Sequence, residues 1–254
     1  MSGILAHSHN LIILVLAAIL LLYGLAPVSA VGTYKPGVKP DDTATYGQVK
    51  ANWKSDRAPF SPVKDFLGIS SITVSILNVE GTNVTARQTF SYLNGTTRSL
   101  VWAEDVQSGT GNMSRAITWI IAGSLVAPDP VYESSSAENI GQTMQGVYAG
   151  TVRTVNIINS TQPEPGGFCK FLRIWDQNTG ILLGFALNYT VSNANYHVSA
   201  SASMQMTRTS LWTLLEHTTT RAPSPIFGLA VFLAAIASAS AYALHGKRRL
   251  VEDL

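Results

Sequence analysis

Cysteine and charge are the two scarce commodities in this chain. Cys169 is its single thiol, so no internal disulfide can form and packing alone must hold whatever folds. Such a residue is either a small buried side chain in a strand or a link between two chains. Only 13% of the positions are charged, 17 Lys and Arg against 15 Asp and Glu. From Val31 to Ser224 the balance is 14 to 13. A surface that neutral offers no basic face to neutralise phosphates, and a nucleic-acid partner is not expected.

Catalytic signatures are missing too. The chain has no G-x-S-x-G, no H-E-x-x-H, no phosphate-binding glycine loop and no Cys-His nucleophile pair. His197 and His217 stand twenty residues apart without a Cys partner, which is not a zinc spacing. The adjacent carboxylates Asp41-Asp42 and Glu104-Asp105 read as solvated loop charge. Asp176-x-Asn178-x-Gly180 opens like a calcium loop but lacks the downstream Glu, and a β-turn accounts for it. The chain therefore reads as a non-enzyme, with no catalytic, cofactor-binding or metal-ligating residue expected.

What the chain does have is apolar sequence concentrated at its two ends. Leu11–Leu22 is an uninterrupted apolar run leading to Ala26-Pro27-Val28-Ser29-Ala30, a small-residue pattern that predicts a signal peptide over residues 1–30 with Val31 as the first mature residue. No Lys or Arg precedes the run, so an uncleaved first membrane helix is the alternative; the middle of the chain is translocated in both cases. Ile226–Leu244 is nineteen residues without a charge. At about 1.5 Å per residue it covers about 28 Å, close to the roughly 30 Å hydrocarbon core of a bilayer. Lys247-Arg248-Arg249 follow at once and mark that side as cytoplasmic. The expected order is thus an extracellular domain over 31–221, a proline linker over 222–225, a transmembrane helix over 226–244 and a cytoplasmic tail over 245–254. Small residues four apart in the span, Ala234 with Ser238, Ala235 with Ala239 and Ala237 with Ala241, would let a second helix approach and make a homodimer; an alanine-rich anchor is the plainer explanation.

The middle of the chain repeats with period two, the signature of strands. Ile72, Val74 and Ile76 alternate with Ser71, Thr73 and Ser75, and Val84, Ala86, Phe90 and Tyr92 continue on a second strand. Asn94-Gly95 predicts a type I′ hairpin into Arg98–Val106. Gln145–Ile158 reads as one strand, Pro163–Gly167 as a break, and Phe168–Trp175, Ile181–Tyr189 and Tyr196–Trp212 as further strands. Each should pack one face and wet the other. Ser114–Val126 and Ser134–Met144 are ambiguous enough to be helix. The fold class expected is all-β: an antiparallel curved sheet or sandwich of about eight strands, with room for a short helix, flanked by the two terminal membrane-seeking helices. Trp102, Trp119, Trp175, Trp212, Phe171 and Phe185 are its candidate core, or the lining of an apolar pocket. Trp212 could alternatively rest on the membrane surface.

Five N-x-[ST] sequons, at Asn83, Asn94, Asn112, Asn159 and Asn188, are a modest excess over chance and suit an exported glycoprotein. Asn94 and Asn159 are expected in turns and Asn188 inside a strand.

The order Gly37-Val38-Lys39-Pro40-Asp41, Asp129-Pro130-Val131-Tyr132, Tyr148-Ala149-Gly150-Thr151-Val152-Arg153 and Trp175-Asp176-Gln177-Asn178-Thr179-Gly180-Ile181-Leu182-Leu183 resembles an uncharacterised group of archaeal exported, single-pass membrane proteins. That resemblance implies a cleaved leader, a β-rich exterior and a C-terminal span, and no activity. The Trp-Asp turn followed by an apolar strand is also similar to the half-barrel lipoprotein carriers, which would imply a curved sheet holding an acyl chain. Two functions follow as expectations: a membrane-anchored surface glycoprotein that binds a protein partner or serves the envelope, and a carrier or sensor of a lipid or other apolar ligand. The second requires an apolar cavity of roughly 300–1,000 Å³.

Overall fold

A computed structural model describes residues 34–56, 63–112, 117–134, 136–193 and 196–212. The predicted leader, linker, membrane span and tail lie outside the described residues, as do the small-residue pairs of the span and His217. No helix among the described residues is long and apolar enough to cross a membrane.

Nine strands form: β1 (Thr43–Ser55), β2 (Ile69–Glu80), β3 (Asn83–Tyr92), β4 (Thr97–Asp105), β5 (Gln142–Tyr148), β6 (Thr151–Glu164), β7 (Gly167–Asp176), β8 (Leu182–Ser192) and β9 (His197–Thr209). Hydrogen bonds join all nine into one antiparallel sheet, so two separate layers of a sandwich do not form. The order is β4-β3-β2-β1-β9-β8-β7-β6-β5. This is a four-strand meander and a five-strand meander, joined where β1 pairs with β9. The sheet stays open, with β4 and β5 as its edges. Among the described residues, helix is limited to a single 3-10 turn at Lys64–Phe66.

The period-two reading gets the inner faces right. Ile72, Val74 and Ile76 are buried on β2, as are Val198, Ala200, Ala202, Met204 and Met206 on β9. Register then stacks these rows, with Tyr46 beside Ile72 and Met206, and Phe185 beside Arg173 and Met204. On β8 one expectation fails: Leu182 to Leu187 are buried on both faces. Its outward residues Gly184 and Ala186 are small, and the larger Ile174 and Leu172 of β7 stand beside them in register.

Several boundaries differ from expectation for physical reasons. Gln145–Ile158 is not one strand, because Ala149 and Gly150 both take positive φ (44° and 76°) and close a tight hairpin between β5 and β6. In the β3–β4 hairpin only Gly95 is left-handed (φ 83°), and the amide of Tyr92 bonds to the carbonyl of Thr96. This is a longer loop than a two-residue type I′ turn. β6 runs on through Pro163, beyond the point where β5 stops pairing at Ile157, and a strand edge tolerates a residue without an N–H. The described parts of 114–126 and 134–141 are irregular rather than helical.

Topology dictates what those irregular residues must do. The link from β4 to β5 has to travel from one sheet edge to the other, and it does so across the inner face. Trp119 meets Tyr46 of β1 edge-on at 5.1 Å, Ile120 bridges to Ile181, and Asn156 of β6 donates to the Leu125 carbonyl at 2.8 Å. Trp119, Ile120, Ile121 and Leu125 are all essentially inaccessible to solvent. The link is the filling of the open sheet.

Candidate functional site

Where the crossing link passes the end of β4, packing is incomplete. A cavity of about 200 Å³ lies there, walled by the sheet on both sides and by two loops. β4 contributes Glu104, which shares the inward parity of Trp102 and stands beside fully buried Val84 in register. From β7 come Arg173 and Trp175, on the inward parity of Cys169 and Phe171. The loop after β4 supplies Ser108 and Gly109, and the crossing link supplies Thr118, Val131, Tyr132 and Glu138. A Cβ on Gly109 would lie 2.7 Å from the Tyr132 ring, so only glycine lets that ring close over the loop.

The polar groups form a chain with two open ends. The Tyr132 hydroxyl donates to Glu104 Oε1 at 2.9 Å and lies 3.4 Å from Thr118 Oγ1. Trp175 Nε1 donates to the Thr118 carbonyl at 3.0 Å. Arg173 pairs through one terminal nitrogen with the Glu138 carboxylate and reaches Ser160 Oγ at 3.3 Å. Glu104 Oε2 and Arg173 Nε are buried and have no hydrogen-bond partner. Both residues are 7% exposed. Unpaired buried polar atoms of this kind cost about 1–3 kcal/mol each, more when charged; these are two of eight such atoms among the described residues, and the two that belong to residues lining the cavity.

Burial governs the titration of these groups. Loss of water pushes the Glu104 carboxyl up to about 7, with the Tyr132 hydroxyl and the Ile120 amide pulling part of the way back. Tyr132 is raised by burial first and by the Glu104 charge second.

The residues singled out in the sequence fall elsewhere, with two exceptions, Glu104 and Trp175. Glu104 was expected as solvated loop charge and is instead a strand residue on the inner face. Its neighbour Asp105 accepts bonds from the Gln107 and Ser108 amides. Asp41 is exposed, whereas Asp42 is buried and caps the Lys39 amide at 2.8 Å. The Asp176–Gly180 turn is structural. Asp176 is fully buried and accepts from Arg153 Nε at 2.7 Å, the Thr179 amide and the Thr179 hydroxyl. His197 is exposed at the start of β9. Cys169 is buried in β7, with its thiol pushed up to about 11 by burial and by Glu164. Trp102, Trp119, Trp175 and Phe185 are core, and Phe171 is half-buried against it. Trp212 lies with the Arg153 guanidinium 4.5 Å over its ring.

Among the sequons, Asn83, Asn94, Asn112 and Asn159 are exposed and Asn188 is half-buried within β8. Asn94 sits at the β3–β4 hairpin tip, accepting from the amide and hydroxyl of Thr96. Asn159 is in the middle of β6, not in a turn as expected, because the strand continues past it to Glu164.

Sequence reasoning missed Arg173, Tyr132, Thr118 and Glu138 as a group. The one available signal was parity: Glu104 and Arg173 each occupy the inward phase of an otherwise apolar alternation. No protein-family model, no curated protein and no solved structure matches this chain.

Proposed function

We propose that this chain is a membrane-anchored cell-surface glycoprotein whose outer β-domain acts by binding, and that the Glu104 cavity is where it takes up a small polar molecule. The observation that carries the reading is the pair of buried, unpartnered polar atoms, Glu104 Oε2 and Arg173 Nε, on residues that line one cavity. Its mouth is accessible, since Ser108, Ser134 and Ser136 of the wall are exposed. The anchor and the outward address rest on the uncharged span at 226–244 and the basic triplet behind it.

A carrier of an apolar ligand has the open sheet in its favour. Against it, the inner face is occupied by Trp119, Ile120, Ile121 and Leu125, and the Glu104 cavity is smaller than such a carrier needs and lined with carboxylates and hydroxyls.

The test is ligand-dependent thermal stabilisation of the full chain across a set of small polar metabolites. A binder present at 100 times its Kd adds about 2.7 kcal/mol, or roughly 5–10 °C in Tm for a domain of this size. Ala137→Phe, which places a ring in the cavity, should abolish the shift. A shift of equal size in that variant, or none with any compound, refutes the pocket as the binding site.

A further inference from the structure

If the Glu104 cavity is the binding site, as proposed above, its wall chemistry narrows the occupant. Three charged side chains face it: Glu104, Glu138 and Arg173. Arg173 is already paired with Glu138, so an anion entering the cavity meets two carboxylates and a guanidinium whose charge is spoken for. Inorganic phosphate and simple carboxylates are disfavoured on that ground.

Arg173 Nε–H wants an acceptor, while Glu104 Oε2 accepts when the carboxyl is ionised and donates when it carries a proton. A hydroxyl can be either donor or acceptor, so a neutral polyhydroxy molecule suits this wall in both states without bringing in a net charge that must be desolvated. The rest of the wall fits such a molecule. Ser108, Thr118 and Tyr132 offer hydroxyls, while Val131 and Trp175 offer apolar surface to the C–H face of a ring. At about 200 Å³ the space is smaller than the roughly 300–1,000 Å³ of sites for drug-sized ligands, which sets the occupant at a single ring.

We infer that the cavity binds a neutral polyhydroxy ring, a monosaccharide or cyclitol, through hydroxyls that bond to the polar wall around Glu104 and Arg173.

The experiment is calorimetric titration of the full chain, purified in a detergent without a sugar head group. The probes are D-glucose, D-mannose, D-galactose and myo-inositol, their methyl glycosides where they exist, and L-serine, ethanolamine and inorganic phosphate. At least one neutral polyol should bind, with affinity at least tenfold weaker in Glu104→Gln and lost in Ala137→Phe, while phosphate and ethanolamine give no heat. Binding of a free sugar but not its methyl glycoside indicates a free monosaccharide as the natural occupant. Binding of both indicates that the terminal unit of a longer glycan also fits. Should L-serine or ethanolamine bind and every polyol fail, the ligand class is wrong but the pocket stands. If no probe binds, the polyol assignment falls; if the metabolite set also gives no thermal shift, the pocket falls with it. Circular dichroism separates a folded Glu104→Gln from a collapsed one. Polyol binding unchanged in both variants would overturn the assignment to this cavity.

Discussion

At the scale of single residues, Glu104 is the most consequential side chain in the domain. It is held on an apolar strand face, and burial places its carboxyl near 7 instead of its usual 4.5. The folded state therefore holds a proton that the unfolded state has already released between those two values. Its contribution to stability is complete below about 4.5 and is lost as pH rises through about 7. That displacement is worth about 3 kcal/mol between the two ends of the window. Glu104→Gln carries no titrating proton at this position, so urea unfolding at pH 5 and pH 8 should show a marked loss of stability for the native chain and a much smaller one for the variant. Equal pH dependence in both would mean that the carboxyl is solvated after all. The residue was visible in the sequence only as one of two adjacent acids. Its inward parity with Trp102 was the physical clue, and a lone Glu in an apolar row says nothing of Tyr132, Thr118 or Arg173, which other stretches of chain bring to it.

At the scale of elements, regular alternation is what made strands legible, and interruptions of it are what hid the rest. β2, β3 and β9 each keep one parity throughout their cores, and their inner rows could be written down directly. β1 cannot be read that way. Ala44 and Tyr46 face inward on even positions, then a bulge at Gln48, with φ 50°, switches the inward set to Val49, Ala51 and Trp53. A single bulge thus conceals the strand that joins the two meanders. The β5–β6 hairpin was concealed by its chemistry, since alanine at a left-handed position gives no turn signal. L-residues other than Asn and Asp hold that conformation at a cost of about 1–2 kcal/mol. Ala149→Asn creates the preferred Asn-Gly pair of a type I′ turn. It should raise unfolding free energy by about 0.5–1 kcal/mol, part of the relief being offset because Ala149 is half-buried against the core. Ala149→Gly, which adds no bulk, serves as the control. Destabilisation by both substitutions would show that the turn conformation is not what limits this hairpin.

At the scale of the whole molecule, the two meanders and the link between them each supply part of the site. Glu104 comes from the first meander, Arg173 and Trp175 from the second, and Thr118, Tyr132 and Glu138 from the link. A constellation assembled across such separations leaves no motif, which is why it could not be read from spacing. The same architecture bears on how the chain is presented. Paired strands leave little unprotected backbone within the domain, whereas the stretch between Trp212 and the apolar span carries Pro223 and Pro225 and no strand pattern. In the proposed orientation, proteinase K added to intact cells should cut between the strands and the span. It should release the β-domain to the medium and leave an epitope placed after Leu254 on a small cell-bound fragment. The released domain should lose mass on deglycosylation, by one step less in Asn94→Gln, because Asn94 lies exposed at a hairpin tip. Asn188→Gln should leave the mass pattern unchanged, since a half-buried residue within β8, paired with strands on both sides, offers a transferase no accessible segment. An intact chain after protease treatment, with the epitope lost only when the membrane is permeabilised, would place the β-domain on the inner side and remove the surface role along with its glycans.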